Sequence, residues 1–503
     1  MFLHYFRFGR TVDRNLWCFL IFIKLIVCCL VKTFYVPDEY WQSLEVAHRQ
    51  AFGYGYLTWE WNYKIRSYVY PFVISIIYKI LAIFRLDFPE MIIFLPRLFQ
   101  AMLSGFAEYR FSKWTRNNLT TAFLLMNPFW NYCATRTLIN TLETSLTMIA
   151  LSIFPWNEKD KHRSDFIWLV GFMFFIRPTA AIMWAPLCMY HVYIFKKSIN
   201  QLIKDYFFIG LCVSGIAITI DSYCYGQLVV TPWEFFKVNV LTNVANHYGK
   251  QPLLWYLYSA LPVFLLIKLI ILPLVIRHII YKQKLMSKPL ISLAIIVWTI
   301  TIYSLLPHKE HRFILPLLPL LVYLITNFNY QAYVSKKFKN IIIFILLFIN
   351  FGLLFYIGVI HQQGSTKIMH YLRHEIDNSQ SDVDVMFLTP CHSTPFYSYV
   401  HQNVSMEFLT CEPNLQNQNN YLDEADIFFN DPMAWLEKRY TNSTLPSLVV
   451  MYDNLAPRIK GFIDNYRLIL SVFDSFHPST KRGRKKGTNE MLSTPYCFRI
   501  FSQ

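Results

Sequence analysis

The sequence predicts an all-α polytopic membrane protein of about eleven transmembrane helices, followed by a small mixed α/β domain. The first observation behind this prediction is composition: of 503 residues 54% are apolar and 16% are charged, whereas soluble proteins average about 25% charged. The second is a series of long apolar runs before residue 361. The third is the change after that point to short apolar runs that alternate with Pro, Asn and Asp. An ordinary water-soluble domain is therefore excluded.

About eleven runs approach the length of roughly 20 residues that a transmembrane helix needs. Their limits are 16–34, 68–84, 90–110, 119–134, 138–155, 166–194, 205–222, 254–276, 289–306, 313–329 and 340–360. The fourth run is short and the sixth is long, which leaves open a re-entrant segment or a split span there. The first run has no small-residue cleavage site after it, so it is expected to be an uncleaved helix rather than a signal peptide.

Basic residues in short loops indicate the cytosolic side of a membrane protein, so the net charge of +16 bears on topology. The basic residues gather in four clusters, at 7–14, 196–204, 277–288 and 336–339. With a cytosolic N-terminus and eleven spans, all four clusters are cytosolic. The same count places in the lumen the loops 35–67, 223–253 and 307–312 and everything after 361. The sequence has no zinc-finger spacing and no basic region leading into heptads, so no nucleic-acid partner is expected.

Residues 361–503 are predicted to form a mixed α/β lumenal domain behind the membrane part, residues 1–360. Short apolar runs at Val383–Leu388, Leu448–Tyr452 and Leu468–Phe473 favour strands. Asn403 and Asn442 begin Asn-X-Ser/Thr sequons, which accept glycans only in the lumen. A third sequon, at Asn118, lies too near a span to support the assignment.

Two features of the C-terminal part have more than one interpretation. Cys391 and Cys411 would form a disulfide in an oxidising lumen and would otherwise remain thiols. The basic cluster is either a solvated loop or a contact for anionic lipid headgroups or a substrate phosphate. It contains Lys481, Arg482, Arg484, Lys485 and Lys486.

The first lumenal loop carries adjacent carboxylates, Asp38 and Glu39, in a segment rich in Tyr and Trp. Aromatic rings offer flat apolar faces to a sugar, and a carboxylate can accept a hydroxyl proton, so the loop suits sugar binding and general-base chemistry. The plainer interpretation is an aromatic belt at the membrane interface with a solvated acidic pair.

Two further groups place charge inside or beside apolar runs. Arg136, Asn140 and Glu143 are spaced to share one face of a helix, where they would form either a functional site or an internal Arg–Glu pair. Arg177 precedes Pro178, which indicates either a broken helix lining a cavity or an arginine that snorkels at a kink.

The densest polar motif runs from His308 through Lys309, Glu310 and His311 to Arg312, between two strongly apolar runs. Two fixed cations and two histidines favour an anion site at the bilayer surface, such as one for a lipid-linked phosphate. The alternative is an ordinary charged loop. A metal site is disfavoured, because the histidines lie beside cations and lack a zinc-helix spacing.

These blocks, in this order, resemble family 22 of the dolichyl-phosphate-mannose-dependent α-mannosyltransferases. The blocks are Pro37-Asp38-Glu39-Tyr40-Trp41-Gln42, Gly55 to Trp61, Thr135-Arg136-Thr137 with Asn140 and Glu143, Arg177-Pro178-Thr179 and His308 to Phe313. Within the family, Thr389 to Ser398 resembles the lumenal segment of members that act on the glycosylphosphatidylinositol (GPI) precursor.

The resemblance implies a GT-C fold in the endoplasmic reticulum membrane, with a catalytic first lumenal loop at 35–67. It implies an inverting α-1,2-mannosyltransferase that transfers the third mannose from dolichyl phosphate mannose to the GPI lipid intermediate. Asp38 is then the general base, and Glu39 positions the acceptor or serves as base in its place.

The remaining site residues follow from the same resemblance. His308, Lys309 and Arg312 would bind the donor phosphate. The supporting residues would be Glu310, Arg136, Asn140, Glu143 and Arg177. No metal and no cofactor other than the donor substrate is expected, and the expected partners are the donor, the GPI intermediate and membrane lipids.

Other functions stay open on the sequence alone. The nearest are a mannosyltransferase of the dolichol-linked N-glycan precursor and the enzyme that adds a fourth GPI mannose. A lipid transporter would show internal repeats and polar groups near the membrane midplane, and the polar groups here concentrate near one face. A non-catalytic lipid-binding subunit would retain its function without Asp38.

Overall fold

The computed structural model describes most of the chain and assigns it mainly to helices. The described residues are 12–158, 160, 164–242, 249–328, 336–379, 382–415, 418, 420–476 and 496–503, with the backbone alone for 12, 13 and 336–343. The basic positions Arg7 and Arg10 and the cluster at 481–486 lie outside them.

Helices occupy most of the described chain before residue 379. Their bounds are Val12–Leu30, Tyr40–Leu44 (a π-helical turn), Glu45–Phe52, Trp59–Asn62, Val69–Ile83, Pro89–Thr115, Asn118–Leu125, Pro128–Ala134, Ile139–Ile153, Phe166–Ile176, Ala180–Ile194, Ile199–Tyr225, Thr231–Phe236, Leu261–Leu265, Leu272–Lys282, Lys288–Leu305, Leu318–Thr326, Lys336–Phe355 and Gly364–Asn378. Short π and 3₁₀ turns join several of them into longer rods.

Five helices among the described residues are long and apolar enough to cross a bilayer. They are Pro89–Thr115, Lys196–Tyr225, Tyr256–Lys282, Lys288–Leu305 and Phe344–Asn378. Four shorter apolar helices, of 10 to 17 residues, lie at Val69–Ile83, Phe166–Ile176, Ala180–Ile194 and His311–Thr326. The chain is therefore a multi-pass membrane protein, and several of the predicted spans are shorter than the sequence indicated.

Prolines break two of the predicted spans. The run 166–194 is two helices, because a residue before proline is driven out of the α conformation and Arg177 accordingly adopts φ −146° and ψ 96°. The run 119–134 is interrupted at Asn127, whose side chain caps the next helix by accepting a hydrogen bond from Trp130 N (2.8 Å), with Pro128 in the first turn. The broken helix expected at Arg177 is confirmed.

The described residues divide into two compact units. The helical unit contains the residues up to Cys29, Tyr63–Tyr70 and Arg97–Leu354. The loop–sheet unit contains Leu30–Asn62, Pro71–Pro96 and Phe355–Gln503. The first loop, with its acidic pair, thus belongs to the same compact unit as the C-terminal sheet.

A mixed sheet organises the C-terminal part of the loop–sheet unit. Its strands are β1 (Asp384–Leu388), β2 (Ser405–Phe408), β3 (Leu448–Tyr452), β4 (Arg467–Ser475) and β5 (Tyr496–Ser502). The order is β2-β1-β3-β5-β4, with β1 parallel to β2 and β3, and β5 antiparallel to β3 and β4. Helices Glu424–Asn430 and Pro432–Tyr440 pack on β1 and β3 through buried apolar residues. The predicted strands and the Cys391–Cys411 disulfide are confirmed.

Contacts in the loop–sheet unit bear on one predicted span. Glu90 forms an ion pair with Arg373 (2.5 Å), and Trp41 donates a hydrogen bond to Thr394 O (3.0 Å). Residues on both sides of the helix Val69–Ile83 therefore touch the C-terminal part. These contacts disfavour a crossing over 68–84, which would place 85–89 on the opposite side of the membrane from the first loop.

The helix Val69–Ile83 has one packed face and one uncovered apolar face. Ile74 and Tyr78 are fully buried, whereas Ile76, Ile80 and Ile83 are exposed on another side. A helix with one face packed on protein and another apolar face uncovered suits contact with acyl chains, whether it crosses the bilayer or lies at its boundary. Apolar composition alone does not distinguish these two placements.

Candidate active site

The acidic pair lies at the start of the helix that opens the first loop. Tyr40 N and Trp41 N donate hydrogen bonds to Pro37 O (2.9 and 3.0 Å), which starts the helical turn directly after Asp38 and Glu39. Negative charge is favourable at a helix N-terminus. Asp38 is half-buried and Glu39 is 1% exposed, so Asp38 is the carboxylate that a substrate can reach more easily.

The aromatic residues around the pair form a core. Tyr40, Trp41, Trp59 and Trp61 are all buried, at 2 to 8% exposure. Both interpretations offered by the sequence, a sugar platform and an interfacial belt, are wrong for these four rings. The physical reason is burial inside the loop–sheet unit, where the Trp41 ring packs against those of His392, Phe396 and Phe408 at centroid distances of 4.5 to 5.3 Å.

Two titratable residues on the same helix were not singled out from the sequence. The buried Glu45 carboxylate accepts hydrogen bonds from Phe396 N (2.8 Å) and from Ser398 N and Oγ (3.1 and 2.5 Å). Burial raises the pKa of Glu45 to about 7, although these hydrogen bonds oppose the rise.

His48 lies one turn further along this helix. Its Nε2 is 2.9 Å from Nδ1 of His401, and its Nδ1 is 3.3 Å from Tyr54 O. Burial, and secondly the charge of His401, lower the pKa of His48 to about 3, so the ring is neutral. The spacing of Glu45 and His48 from Trp41, four and seven residues, is the helical signal that could have found them.

In the helical unit, Glu143 pairs with Arg177 instead of Arg136. Both side chains of the pair are largely buried. The predicted shared face of Arg136, Asn140 and Glu143 is wrong, because the helix begins at Ile139 after an extended Leu138 and Arg136 precedes it.

Arg136 is nonetheless fully buried. Its Nε donates to Tyr132 O (3.0 Å), and its guanidinium carbon lies 4.1 Å from the centre of the Tyr132 ring. Asn140 does share the Glu143 helix, and its Nδ2 is buried with no hydrogen-bond partner among the residues that the structure describes. Such a group is available to a polar ligand.

The motif after residue 307 is organised by its carboxylate. Glu310 accepts two hydrogen bonds from Arg312 (2.8 and 2.7 Å), and its Oε1 lies 3.0 Å from His308 Nε2. Burial alone would raise the pKa of Glu310, but the positive charge of Arg312 and these hydrogen bonds outweigh burial and hold the pKa far below its usual range. Glu310 is therefore ionised.

Lys309 has two backbone carbonyl partners. Its Nζ donates to the carbonyl oxygens of Gln251 (3.1 Å) and Leu306 (2.5 Å), and the residue is 4% exposed. An ammonium has three donors, so two of them are already engaged in holding the loop.

Two arginines flank one aromatic ring in this unit. The guanidinium carbons of Arg177 and Arg312 each lie 5.5 Å from the centre of the Phe313 ring. Each arginine has its own carboxylate, Glu143 or Glu310. A guanidinium carries five donors, so an arginine that pairs with a carboxylate can also serve a phosphate, and this arginine pair, Arg177 and Arg312, is a candidate for an anionic group of that kind.

The predicted residues thus form separate groups. Arg177 and Glu143 meet His308, Glu310 and Arg312 around Phe313 in the helical unit, whereas Arg136 lies against Tyr132. Asp38 and Glu39 belong to the loop–sheet unit, in the company of Glu45 and His48.

One group in the described chain has the spacing of metal ligands. The candidate ligand atoms of Cys391, His392 and Cys411 lie within 4.8 Å of one another. The two sulfurs are joined in a disulfide and are not thiolates, so the group does not fit a metal ion in this state.

Comparison with known proteins gives a consistent result. Residues 15–401 match the model of the Alg9-like mannosyltransferase family. The chain is 43% identical to GPI mannosyltransferase 3 of Drosophila melanogaster, over 89% of this chain and 81% of that protein. It is 38% identical to GPI alpha-1,2-mannosyltransferase 3 of Danio rerio (93% and 88% covered) and 35% identical to that of Homo sapiens (95% and 87%).

Among solved structures, the chain is similar to ArnT from Cupriavidus metallidurans. The structure of ArnT bound to undecaprenyl phosphate superposes with a TM-score of 0.59 over 97% of both chains, at 10% sequence identity. The apo form gives a TM-score of 0.57. At this identity the likeness is one of fold, and it confirms a GT-C type membrane architecture.

Proposed function

The chain belongs to the Alg9-like mannosyltransferase family, and on that premise we propose that it transfers the third mannose from dolichyl phosphate mannose to the GPI-anchor precursor, in α-1,2 linkage. The observation that carries the proposal is the extent of similarity to relatives named for this activity. It covers about nine-tenths of the chain and so continues past His401, where the family match ends.

Asp38 is the proposed general base. It removes the proton of the 2-hydroxyl on the second mannose while that oxygen attacks the anomeric carbon of the donor mannose. The bond between that carbon and the phosphate oxygen breaks, the configuration inverts, and dolichyl phosphate leaves. The half-exposure of Asp38 supports this role, and the burial of Glu39 supports a positioning role for the second carboxylate.

Charge on the leaving phosphate is the second demand of the reaction. We assign it to Arg177 and Arg312, because both guanidinium groups flank Phe313 and are already oriented by carboxylates. His308 assists through Glu310, and Lys309 holds the loop. The proposed reaction uses no metal or other cofactor, since the donor supplies an activated mannose and the arginines offset the leaving-group charge.

The proposed location is the endoplasmic reticulum membrane, with the N-terminus cytosolic and the residues after 361 lumenal. We propose eleven crossings, in which the two helices of 166–194 each cross and 68–84 does not. The revised count moves Arg110, Lys113 and Arg116 to the cytosolic side, where basic residues are expected. It also puts Arg177 at the lumenal end of its helix.

The test uses microsomes from cells that lack the third GPI mannosyltransferase, supplied with the full chain and radiolabelled dolichyl phosphate mannose. Wild type is expected to convert a two-mannose GPI lipid into a three-mannose lipid, and Asp38→Asn is expected to lose at least 100-fold in rate. Glu437→Gln, which alters an exposed carboxylate on a C-terminal helix, is the matched control and should keep full activity. Persistence of the two-mannose lipid with well-expressed wild type would refute the proposal.

A further inference from the structure

One face of the catalytic-loop helix is engaged by the C-terminal part of the chain. Trp41, Glu45 and His48 come after the acidic pair on this helix. Glu45 lies four residues after Trp41, and His48 lies three residues after Glu45, so the three side chains share one side of the helix. Trp41 Nε1 donates to Thr394 O (3.0 Å), and His48 Nε2 lies 2.9 Å from His401 Nδ1. Three successive turns are therefore fixed by one segment.

Glu45 is the central contact of this face. Its carboxylate accepts hydrogen bonds from the backbone N–H groups of Phe396 and Ser398 and from the Ser398 hydroxyl. Burying a carboxylate is expensive, and an apolar side chain would fill the same place at a lower cost to folding. The carboxylate adds directional hydrogen bonds. Its three donors fix the position and rotation of the helix, which apolar packing alone would define less closely.

The segment that receives the helix is itself anchored. We call residues 389–401 the socket; it follows the end of β1 directly. The Cys391–Cys411 disulfide ties it to the chain that follows β2. Beyond Cys411, the Glu424 carboxylate accepts hydrogen bonds from Thr410 N and Oγ1 (2.9 and 2.7 Å). The carboxyl ends of parallel strands are where such sheets commonly hold a ligand, and here that edge holds the catalytic-loop helix.

We propose that the socket positions the carboxylates of Asp38 and Glu39 for the reaction, and that Glu45 is the principal positioning residue. The C-terminal sheet is then part of the catalytic apparatus. This inference rests on the proposed function, since it takes the acidic pair as the reacting groups. Glu45 acts through the helix and touches neither substrate.

The test compares Glu45→Gln with Asp384→Asn in the purified full-length protein. Asp384 is a matched control, because its carboxylate also accepts a backbone N–H and a hydroxyl, from Ser447 N (2.8 Å) and Oγ (2.6 Å), but at the other end of β1. Glu45→Gln should lower kcat at least tenfold with the KM for dolichyl phosphate mannose within twofold. Asp384→Asn should keep kcat within twofold at a similar loss of thermal stability.

A second measurement reports on the socket without the reaction. Amide hydrogen exchange across residues 40–48 should speed up at least tenfold in Glu45→Gln and stay at the wild-type rate in Asp384→Asn. Ser398→Ala, which removes one donor to Glu45, should give a smaller change in the same direction. Equal losses of kcat in Glu45→Gln and Asp384→Asn, or unchanged exchange in Glu45→Gln, would overturn the proposal. If wild type adds no mannose while amide hydrogen exchange across residues 40–48 still speeds up in Glu45→Gln, the proposed function is refuted, but the positioning of the helix by the socket is supported.

Discussion

The free energy of unfolding should fall as pH rises through the titration of Glu45, whereas for most carboxylates it increases. Its pKa in the folded protein is about 7, against an ordinary value of 4.5. Between these values the folded state binds more protons than the unfolded state, so stability falls as pH rises through this window. Each pKa unit is worth 1.36 kcal/mol, and the full effect is therefore at most about 3 kcal/mol.

The assay is thermal unfolding of the purified full chain at half-unit steps from pH 4.5 to 8, for wild type and Glu45→Gln. His48, with a folded pKa of about 3, and Asp474, with a folded pKa of about 6, also contribute in this range, but they are common to both proteins and cancel in the difference. The stability of wild type relative to the variant should decline by up to about 3 kcal/mol as pH rises. A difference that stays constant from pH 4.5 to 8 would show that Glu45 does not titrate there.

Three further outcomes follow from the structure. Arg312→Lys should lower kcat 10- to 100-fold in the microsome assay, because an ammonium cannot replace the two parallel hydrogen bonds that the guanidinium donates to Glu310. The control Arg439→Lys, at an exposed ion pair, should leave kcat unchanged. Lys309→Met should act mainly by lowering the unfolding temperature and not by raising the donor KM, since Lys309 Nζ donates to two carbonyl oxygens that hold the loop. A raised KM with an unchanged unfolding temperature would contradict this. Cys391→Ser with Cys411→Ser should cost about 3 kcal/mol of stability, because the bridge closes a 20-residue loop, and an unchanged unfolding temperature would oppose this.

The strands of the C-terminal part could be predicted because their signal is local. Leu448–Tyr452 is a continuous apolar run and Val383–Leu388 is interrupted only by Asp384, as expected for strands largely covered on both faces, and they are β3 and β1 almost to the residue. β5 was missed, since Tyr496–Ser502 alternates apolar and polar residues only weakly and is recruited by pairing with β3 and β4. Partners distant in sequence leave no local signal.

The predictions for the helical unit failed where a helix starts in an unexpected place. A continuous helix through 136–143 would bring Arg136 and Glu143 to one face, and the periodicity is correct for it. Leu138 is instead extended, so the helix begins after it at Ile139. Glu143 pairs with Arg177, 34 residues further along the chain. The spacing identified charged residues that the fold buries without identifying which of them pair.

The carboxylates beside the two arginines explain how the proposed phosphate site would be organised before a donor binds. Arg177 and Arg312 are 9% and 6% exposed, and burying a guanidinium without a partner would cost several kcal/mol. Glu143 and Glu310 offset that cost in the folded protein, so the cations are already desolvated and oriented. Charge that develops on a leaving phosphate then meets fixed donors, and little reorganisation is required at the moment of reaction. Loss of either carboxylate should therefore disorder its arginine as well as change the local charge, and Glu310→Gln should impair kcat although it makes the site more positive.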